Sequence, residues 1–314
     1  MLETIDLSVR LDKADYENRK REIQTELHRA QRRANEENLG IIVIFEGWDL
    51  SGKSRCIQFL TERMDPRGFK VHAMYPPSKQ ERQYPFARRY LLRAPARGRI
   101  AIFLRSWYYH VLDERIQTGD SAFNAVAALD GIRRTEQTLA DEGYLIIKFW
   151  LHIDQAEQKR RRKKHSQGKY RRPTGPDDPK QHKKYREYAE AAEQMLAMTS
   201  VDYARWYLIP ANDPRHARAA VATHFSNAVH EEIQFGKESR KSPPPDSEAV
   251  VTPLPPVGDR SLLSRVDLSQ DVDEDDYQKR LKQAQLKLCE LQFQCVEKDR
   301  GAIMIFQGWD AAGK

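Results

Sequence analysis

Apolar residues follow two different periods along this chain. Short runs of β-branched and aromatic residues, such as residues 41–45 (IIVIF), are typical of strands buried on both faces of a parallel sheet. Highly charged segments with an apolar residue every three or four positions, such as residues 16–38, are typical of amphipathic helices. These patterns predict strands at residues 41–45, 69–74, 99–104, 145–153 and 206–209, and helices at residues 16–38, 55–64, 81–92, 122–142, 189–198 and 214–233.

The alternation of strands and helices predicts the fold class. It is typical of a three-layer α/β protein, in which a parallel sheet lies between two layers of helices. A helical N-terminal arm at residues 16–38 precedes this fold and carries one narrow apolar stripe. We expect a surface to cover that stripe, either in a homo-oligomer, on a second copy of the unit, or on the same unit.

Composition excludes several classes of protein. The 314 residues are 39% hydrophobic and 32% charged, which is enough apolar material for a core and excludes wholesale disorder. The apolar runs are far shorter than the roughly 20 residues of a membrane span, and the start (MLET) lacks a secretory pattern. The three cysteines, Cys56, Cys289 and Cys295, are too few and too widely spaced for a disulfide framework or a zinc site. We therefore expect the protein to lie in a reducing cytoplasm and not in a membrane.

The chain repeats its own beginning at an offset of 261 residues. Residues 6–8 (DLS) recur as residues 267–269, and residues 47–49 (GWD) recur as residues 308–310. Aligned without a gap, 20 of the 48 residue pairs from positions 6–53 are identical. A repeat spacing of this size indicates a duplicated domain rather than a short solenoid repeat.

The repeat divides the chain into three predicted parts. A first domain covers residues 1–235, and residues 266–314 form the N-terminal arm and the opening loop of a second copy. Residues 236–265 between them are rich in Pro, Ser and charge, which is typical of a semi-extended linker. The second copy stops inside a motif, so we expect the chain to be a fragment of a longer protein.

A phosphate-binding loop follows the first predicted strand. Residues 47–54 (GWDLSGKS) match the pattern G-x-x-x-x-G-K-[ST], with a strand before and a helix after. Gly47 and Gly52 would let backbone N–H groups cradle phosphate oxygens, while Lys53 supplies a positive charge and Ser54 reaches a magnesium ion. Asp49 is unusual here, because a carboxylate would repel phosphate. It is either a metal ligand, a base facing the acceptor, or a cap on the following helix.

The positive charge is concentrated in one segment. The chain has 53 Lys and Arg against 46 Asp and Glu, a net charge of +7. Residues 159–186 alone contain 13 Lys or Arg and two Asp. Such a segment indicates a polyanionic partner, although a solvated helix face would give the same composition. No RNP, zinc-finger or basic-zipper pattern accompanies it, so we do not expect nucleic acid to be that partner.

Several motifs together resemble the polyphosphate kinase type 2 family. They are the loop at residues 47–54, residues 77–89 (PSKQERQYPFARR), 102–115 (IFLRSWYYHVLDER), 148–153 (KFWLHI) and 210–213 (PAND). The resemblance covers residues 6–232 and restarts at residue 267. It implies a thymidylate-kinase-like P-loop fold and Mg²⁺-dependent phosphoryl transfer between inorganic polyphosphate and nucleotides. Two fused units further resemble the branch that makes ADP from AMP.

The resemblance also implies residue roles. Asp49, Lys53 and Arg105 would be catalytic, and Asp49 and Ser54 would hold the metal. Phosphates would be bound by the loop residues and by two further arginines: Gly47, Gly52, Lys53, Ser54, Arg89 and Arg115. The basic segment at residues 155–187 would form a lid over polyphosphate, and in the second copy the visible loop residues are Asp310 and Lys314.

Two departures from the family pattern bear on activity. Leu104 stands where the family has an Asp at the end of a strand, and leucine cannot bind magnesium. The segment before residues 176–178 (PDD) lacks the family's Trp-Lys pair. We therefore expect the first unit to be a poor catalyst, with turnover carried by the second copy. The alternatives are a non-catalytic polyphosphate-binding or dimerisation unit, and an unrelated ATP-dependent P-loop protein that acts on nucleic acid.

Overall fold

The computed structural model describes residues 2–118, 124–166, 181, 183–236, 269, 271–298 and 300–307. The chain forms two compact units, Met1–Pro245 and Asp246–Lys314. The predicted linker at residues 236–265 lies outside the described residues except for its first residue. The two units are therefore described separately.

The first unit alternates strands and helices, as the apolar pattern predicts. Its strands are β1 (Gly40–Gly47), β2 (Phe69–Ala73), β3 (Ile100–Leu104), β4 (Tyr144–His152) and β5 (Trp206–Pro210). Its helices are α1 (Lys13–Glu36), α2 (Lys53–Thr61), α3 (Arg88–Leu91), α4 (Trp107–Thr118), α5 (Ala125–Asp141), α6 (Gln155–Ser166), α7 (Tyr185–Thr199) and α8 (Pro214–Glu231).

The strands form one parallel sheet in the order β2-β3-β1-β4-β5. All eight residues of β1 are buried, because this strand lies at the centre of the sheet with helices on both faces. In register, Phe45 of β1 lies opposite Leu104 of β3, and Gly47 lies opposite Leu151 of β4. The chain order reverses around β1, so a crevice opens at its carboxyl end, where ligands of open α/β sheets bind.

Two layers of helices cover the sheet, which confirms the predicted α/β fold. Helices α1, α2 and α8 pack on one face, and α4, α5 and α7 pack on the other. The N-terminal arm α1 buries Leu27, Ala30 and Ala34 along the face that contacts α8. The surface that covers the apolar stripe of the arm thus lies on the same unit, which is the third of the three surfaces expected from the sequence. Homo-oligomerisation stays a prediction.

Two local predictions differ from the structure. Residues 81–92 do not form one helix but a 3₁₀ turn, Glu81–Gln83, and the single helical turn α3. The cause is Pro85, which disfavours helical backbone in the residue before it, and Tyr84 is accordingly extended, with φ −114° and ψ 159°. Helix α4 was not predicted, because the aromatic and β-branched content of residues 107–111 (WYYHV) masks the helical period.

A buried ion pair ties α4, α5, β4 and the end of α7 together. Lys148 and Glu136 have no exposed side-chain surface, and Lys148 Nζ lies 2.7 Å from Glu136 Oε2. The same ammonium group donates to Tyr108 Oη at 3.0 Å and to Thr199 O at 2.7 Å. Glu136 Oε1 in turn accepts from Tyr108 Oη and from Trp107 Nε1. Each charged group thus has several partners, as a charge needs in a dry interior.

The second unit contains helix α9 (Glu274–Glu297), the repeat counterpart of α1. Asp273 stabilises its start by accepting a hydrogen bond from the N–H of Asp275. Leu288, the counterpart of the buried Leu27, is 60% exposed. The predicted second loop, with Asp310 and Lys314, lies outside the described residues. Among the described residues of the chain, no helix combines the length and apolar character of a membrane span.

The buried pair gives the first testable prediction. We expect Lys148→Met to lower the free energy of unfolding by about 3–5 kcal/mol, because it leaves the Glu136 carboxylate buried without its counter-charge. Urea denaturation measures this change, with Lys70→Met on the exposed face of β2 as the control. The double variant Lys148→Met/Glu136→Gln should lose less free energy of unfolding than the two single variants lose together. A loss below about 1 kcal/mol in Lys148→Met contradicts the account.

Candidate phosphate-binding site

The loop begins where β1 passes very close to β4. Gly47 has φ 119°, and a Cβ atom at this position would lie 2.3 Å from the carbonyl oxygen of Leu151. Only glycine fits there. The loop then turns into α2 through Gly52, which has φ 103° and serves as the N-cap without a side-chain hydrogen bond. Both glycines of the motif are therefore required by the backbone, and the α2 N-terminus is left open for an anion.

Lys53 folds back over this loop from the first position of α2. Its Nζ donates to the carbonyl oxygens of Gly47 at 2.8 Å and Trp48 at 2.7 Å. Burial lowers the pKa of Lys53 to about 8, although the nearby carboxylates of Asp49 and Glu46 oppose the shift. A phosphate group at the α2 N-terminus would face both this ammonium group and the partial positive charge of the helix.

Asp49 presents an unsatisfied oxygen inside the loop. Its Oδ2 atom is buried and accepts no hydrogen bond from the described residues, and the same holds for the hydroxyl of Ser51. Gly52, not Asp49, caps α2, so the capping alternative for Asp49 is wrong. A buried carboxylate oxygen without a donor fits a cation. Ser54 is exposed on the first turn of the same helix.

These donors fit Mg²⁺ better than they fit a transition metal. Among the described residues there is no group of three or more His, Cys, Asp or Glu that could hold a metal ion. Mg²⁺ needs no such cage, since it binds through one or two protein oxygens together with water and substrate phosphates. Asp49 and Ser54 supply oxygens of that kind.

Arg105 lies beside the loop at the end of β3. It has φ 64°, a left-handed conformation that is uncommon for a residue with a side chain, and its N–H donates to Phe45 O of β1. Its guanidinium group lies 4.7 Å from the ring centre of Tyr109. The charges of Arg105 and Asp49 both act on Lys53, so these three predicted residues are gathered at the carboxyl ends of β1 and β3.

Glu46 is a functional candidate that the sequence reasoning missed. It occupies the last position of β1 before Gly47, is buried, and accepts from both the N–H and the hydroxyl group of Ser106. Burial raises the pKa of its carboxyl group, opposed by Ser106 and by the charges of Lys53 and Arg105. An acidic residue at the end of an otherwise apolar strand was the available signal. Glu46 links the P-loop strand to the start of α4.

Leu104 provides no such polar group. Its side chain packs against the hydrophobic core at the end of β3, and its carbonyl oxygen accepts from the N–H of Met74 at 3.0 Å. The position that the family resemblance assigns to a metal-binding carboxylate is therefore apolar.

Arg89 and Arg115 lie on other elements. Arg89 of α3 donates to Tyr75 O at 2.8 Å and lies 3.5 Å from the carboxylate of Glu81, on a cavity of about 400 Å³ beyond the end of β2. Arg115 of α4 donates to the side chain of Gln194 on α7. The assignment of both arginines to phosphate stays a prediction.

An aromatic residue anchors the loop to its surroundings. Trp48 is fully buried, and its Nε1 donates to Nδ1 of His152 at the end of β4 over 3.0 Å. Its ring stacks on Tyr185 with 4.0 Å between the ring centres. Burial lowers the pKa of His152 to about 4, so the imidazole is neutral near pH 7 and can accept this bond. The loop is thereby attached to β4 and to the first residue of α7.

Both flanks of the basic segment contact the loop. Gln158 of α6 donates to the carbonyl oxygen of Asp49, and Gln181 accepts from the N–H of the same residue. Residues 167–180 and 182, the centre of the predicted lid, lie outside the described residues. Asp213 caps α8 by accepting hydrogen bonds from the N–H groups of Arg215 and His216.

Comparison with known proteins identifies the family. Residues 10–236 and 271–314 match the family model of polyphosphate kinase 2 (PPK2). The chain is 30% identical to a polyphosphate:AMP phosphotransferase of Pseudomonas aeruginosa, covering all of this chain and 63% of that protein. It is 33% identical to a polyphosphate:AMP phosphotransferase of Pseudomonas syringae, covering 77% of this chain and 48% of that protein. The chain thus spans less than two thirds of the length of either relative.

Solved structures agree with this assignment. A crystal structure from Pseudomonas aeruginosa PA01 assigned to polyphosphate kinase 2 superposes with a TM-score of 0.71 at 31% identity, covering 75% of this chain and 52% of that one. Polyphosphate kinase 2 of Arthrobacter aurescens has the same fold, with a TM-score of 0.69 at 24% identity over 73% of this chain and 85% of that one. Since the family match extends over well more than half of its residues, the chain belongs to the polyphosphate kinase 2 family.

Proposed function

We propose that this chain acts as a polyphosphate-dependent nucleotide phosphotransferase, which converts AMP and polyphosphate to ADP and a shortened polyphosphate. The observation that carries the proposal is the group of residues at the carboxyl end of β1. There the ammonium group of Lys53 and the N-terminus of α2 meet the carboxylate oxygen of Asp49 that accepts no hydrogen bond from the described residues. The names of the two Pseudomonas relatives supply the acceptor, AMP.

In this mechanism the chain positions phosphates and neutralises their charge. An oxygen of the AMP phosphate attacks the terminal phosphorus of polyphosphate, and the bond from that phosphorus to the bridging oxygen breaks. The shortened polyphosphate leaves with the bridging oxygen and its electron pair. Lys53, the N–H groups of the α2 N-terminus and Arg105 offset the negative charge on the transferring group. Magnesium, held by Asp49 and Ser54, would supply additional charge neutralisation between phosphates.

A second candidate function rests on Leu104. Without a carboxylate at the end of β3, the unit retains its means of binding phosphate but lacks one of its means of holding a metal. The alternative is therefore a non-catalytic unit that binds polyphosphate or contributes to dimerisation.

All three cysteines are free, which is consistent with the cytoplasm as the site of action.

The direct test of function is phosphoryl transfer by the purified chain. With Mg²⁺, long-chain polyphosphate and AMP, we expect ADP to form at a low rate, because Leu104 leaves one metal ligand missing. We expect Lys53→Met to lower that rate about 100-fold or more, because the charge facing the transferred phosphoryl group is lost. Chromatography of the nucleotides measures both rates, with Lys70→Met as the matched control. If the unaltered chain forms no ADP, the non-catalytic alternative stands.

Leu104 gives a test that separates the two functions. We expect Leu104→Asp to raise the Mg²⁺-dependent rate about tenfold or more, because an aspartate there adds a hard oxygen ligand beside Arg105. Leu104→Asn is the control, since it has nearly the same shape and no charge. Equal rates in the two variants would show that a missing carboxylate is not the defect.

The pKa of Lys53 predicts how phosphate binding depends on pH. The ammonium group is charged below about pH 8 and loses its proton above it. Affinity for tripolyphosphate should therefore decline above pH 8 relative to the Lys53→Arg variant, by at most about tenfold per pH unit. The arginine keeps its charge over this range, so the comparison removes the titration of the ligand itself. Calorimetric titrations between pH 7 and 9.5 measure the ratio, and a constant ratio contradicts the assignment.

A further inference from the structure

The side chain of Arg161 makes five hydrogen bonds near the candidate site. It lies on α6, inside the basic segment, with 16% of its side chain exposed. Its Nη1 donates to the carbonyl oxygens of Leu50 at 3.0 Å and Ser51 at 3.1 Å. Its Nη2 donates to the carbonyl oxygens of Ala211 at 2.7 Å and Asn212 at 3.0 Å. One guanidinium group thus joins the P-loop to the turn between β5 and α8.

The fifth donor of Arg161 is also used. Nε donates to the carboxylate of Glu157, one helical turn earlier, at 2.5 Å. The backbone of Glu157 is held at the start of α6, because its N–H donates to Asp154 Oδ1 at 2.7 Å. A guanidinium group has five N–H donors in a planar fork, and here all five have an acceptor. Arg161 therefore has no donor to spare for a phosphate while this arrangement holds.

The two loop carbonyl groups that Arg161 holds determine where the loop N–H groups point. In a trans peptide the C=O and N–H bonds point in opposite directions. With the carbonyl groups of Leu50 and Ser51 turned toward Arg161, the N–H groups of Ser51 and Gly52 point away from it. The Ser51 N–H closes a turn onto Trp48 O at 3.2 Å, and the Gly52 N–H lies at the start of α2, where an anion would bind.

Leu50 adds a reason why this contact matters. Its φ of 63° places a residue with a side chain in the left-handed region, which is unfavourable for leucine. A conformation of this kind persists only when its surroundings hold it. The bond from Arg161 to the Leu50 carbonyl oxygen is one of the contacts that hold it.

We propose that Arg161 is a positioning residue: it holds the outward carbonyl groups of Leu50 and Ser51 so that the Ser51 N–H closes the turn onto Trp48 and the Gly52 N–H faces the phosphate. This differs from a polyphosphate-binding role, which its place in the basic segment suggests. The inference rests on the proposed function only in that the loop binds phosphate groups. It requires the forked shape of arginine, since a lysine cannot reach four carbonyl oxygens on two loops at once.

The test compares Arg161→Lys with Arg29→Lys. Arg29 lies on the exposed side of α1, outside the basic segment, is 65% exposed and donates to Glu26 one helical turn earlier, so both changes keep the charge of an arginine that has a glutamate partner on its own helix. Calorimetric titration with tripolyphosphate should show an affinity about tenfold or more lower for Arg161→Lys, and within about twofold of the unaltered chain for Arg29→Lys. Equal affinities in the two variants overturn the proposal, because they would mean that positive charge alone is sufficient.

Hydrogen exchange of the peptide that contains residues 47–54 gives a second readout, independent of any ligand. Faster exchange in Arg161→Lys than in Arg29→Lys supports the positioning role, and equal exchange overturns it. If the unaltered chain binds no tripolyphosphate, the proposed function fails, and the exchange comparison still decides the role of Arg161. Should Arg161→Lys fold poorly, methylguanidinium added to Arg161→Ala should restore slow exchange, and failure to do so counts against the proposal.

Discussion

The close approach of Gly47 to Leu151 determines the geometry of the candidate site. At this point the backbones of β1 and β4 leave no space for a side chain, so the loop departs from the sheet at one fixed position. The next residue repeats the contact, since the N–H of Trp48 donates to Leu151 O at 3.2 Å. Its indole ring then reaches His152 and Tyr185. The strand register, the loop and the start of α7 are thereby coupled through two consecutive residues.

From this fixed point the loop is held on both of its sides. On the inner side, Lys53 donates to the carbonyl oxygens of Gly47 and Trp48. On the outer side, Arg161 donates to the carbonyl oxygens of Leu50 and Ser51. Bound phosphate would compete with the first set of bonds for the ammonium group but would leave the second set intact. The loop can therefore exchange the partner of Lys53 without losing its shape, which is the preorganisation that phosphate recognition requires.

Local sequence signals predicted the features that depend on local physics. Short apolar runs located all five strands of the described sheet, and the runs of β1, β3 and β4 are the most continuous because these strands are largely buried on both faces. The motif of glycines with Lys53 located the loop, because its backbone conformation excludes most other residues at Gly47 and Gly52. These requirements lie within about ten residues of chain, and the sequence displays them directly.

The features that the sequence did not predict depend on distant contacts. Glu46 gains its role from Ser106, 60 positions later, and Arg161 from carbonyl groups about 110 positions earlier and 50 later. Backbone carbonyl groups leave no mark in a sequence, so an arginine that binds them looks like any other positive charge. The sequence therefore predicted the features in which side chains determine the conformation of their own segment. It did not predict the features in which a side chain binds the backbone of a distant segment.

The number of positive charges in the basic segment does not measure its capacity for polyphosphate. Within the basic segment, Arg160 and Arg161 share Glu157, while Lys184 pairs with Glu187 and Arg186 with Glu190. The exposed pairs are weak and can open to accept a phosphate. Arg161 cannot do so without releasing four carbonyl groups. The net charge of the segment thus overstates its capacity to bind a polyanion. One of its positive charges, Arg161, holds the P-loop, where the end of the polyanion would bind.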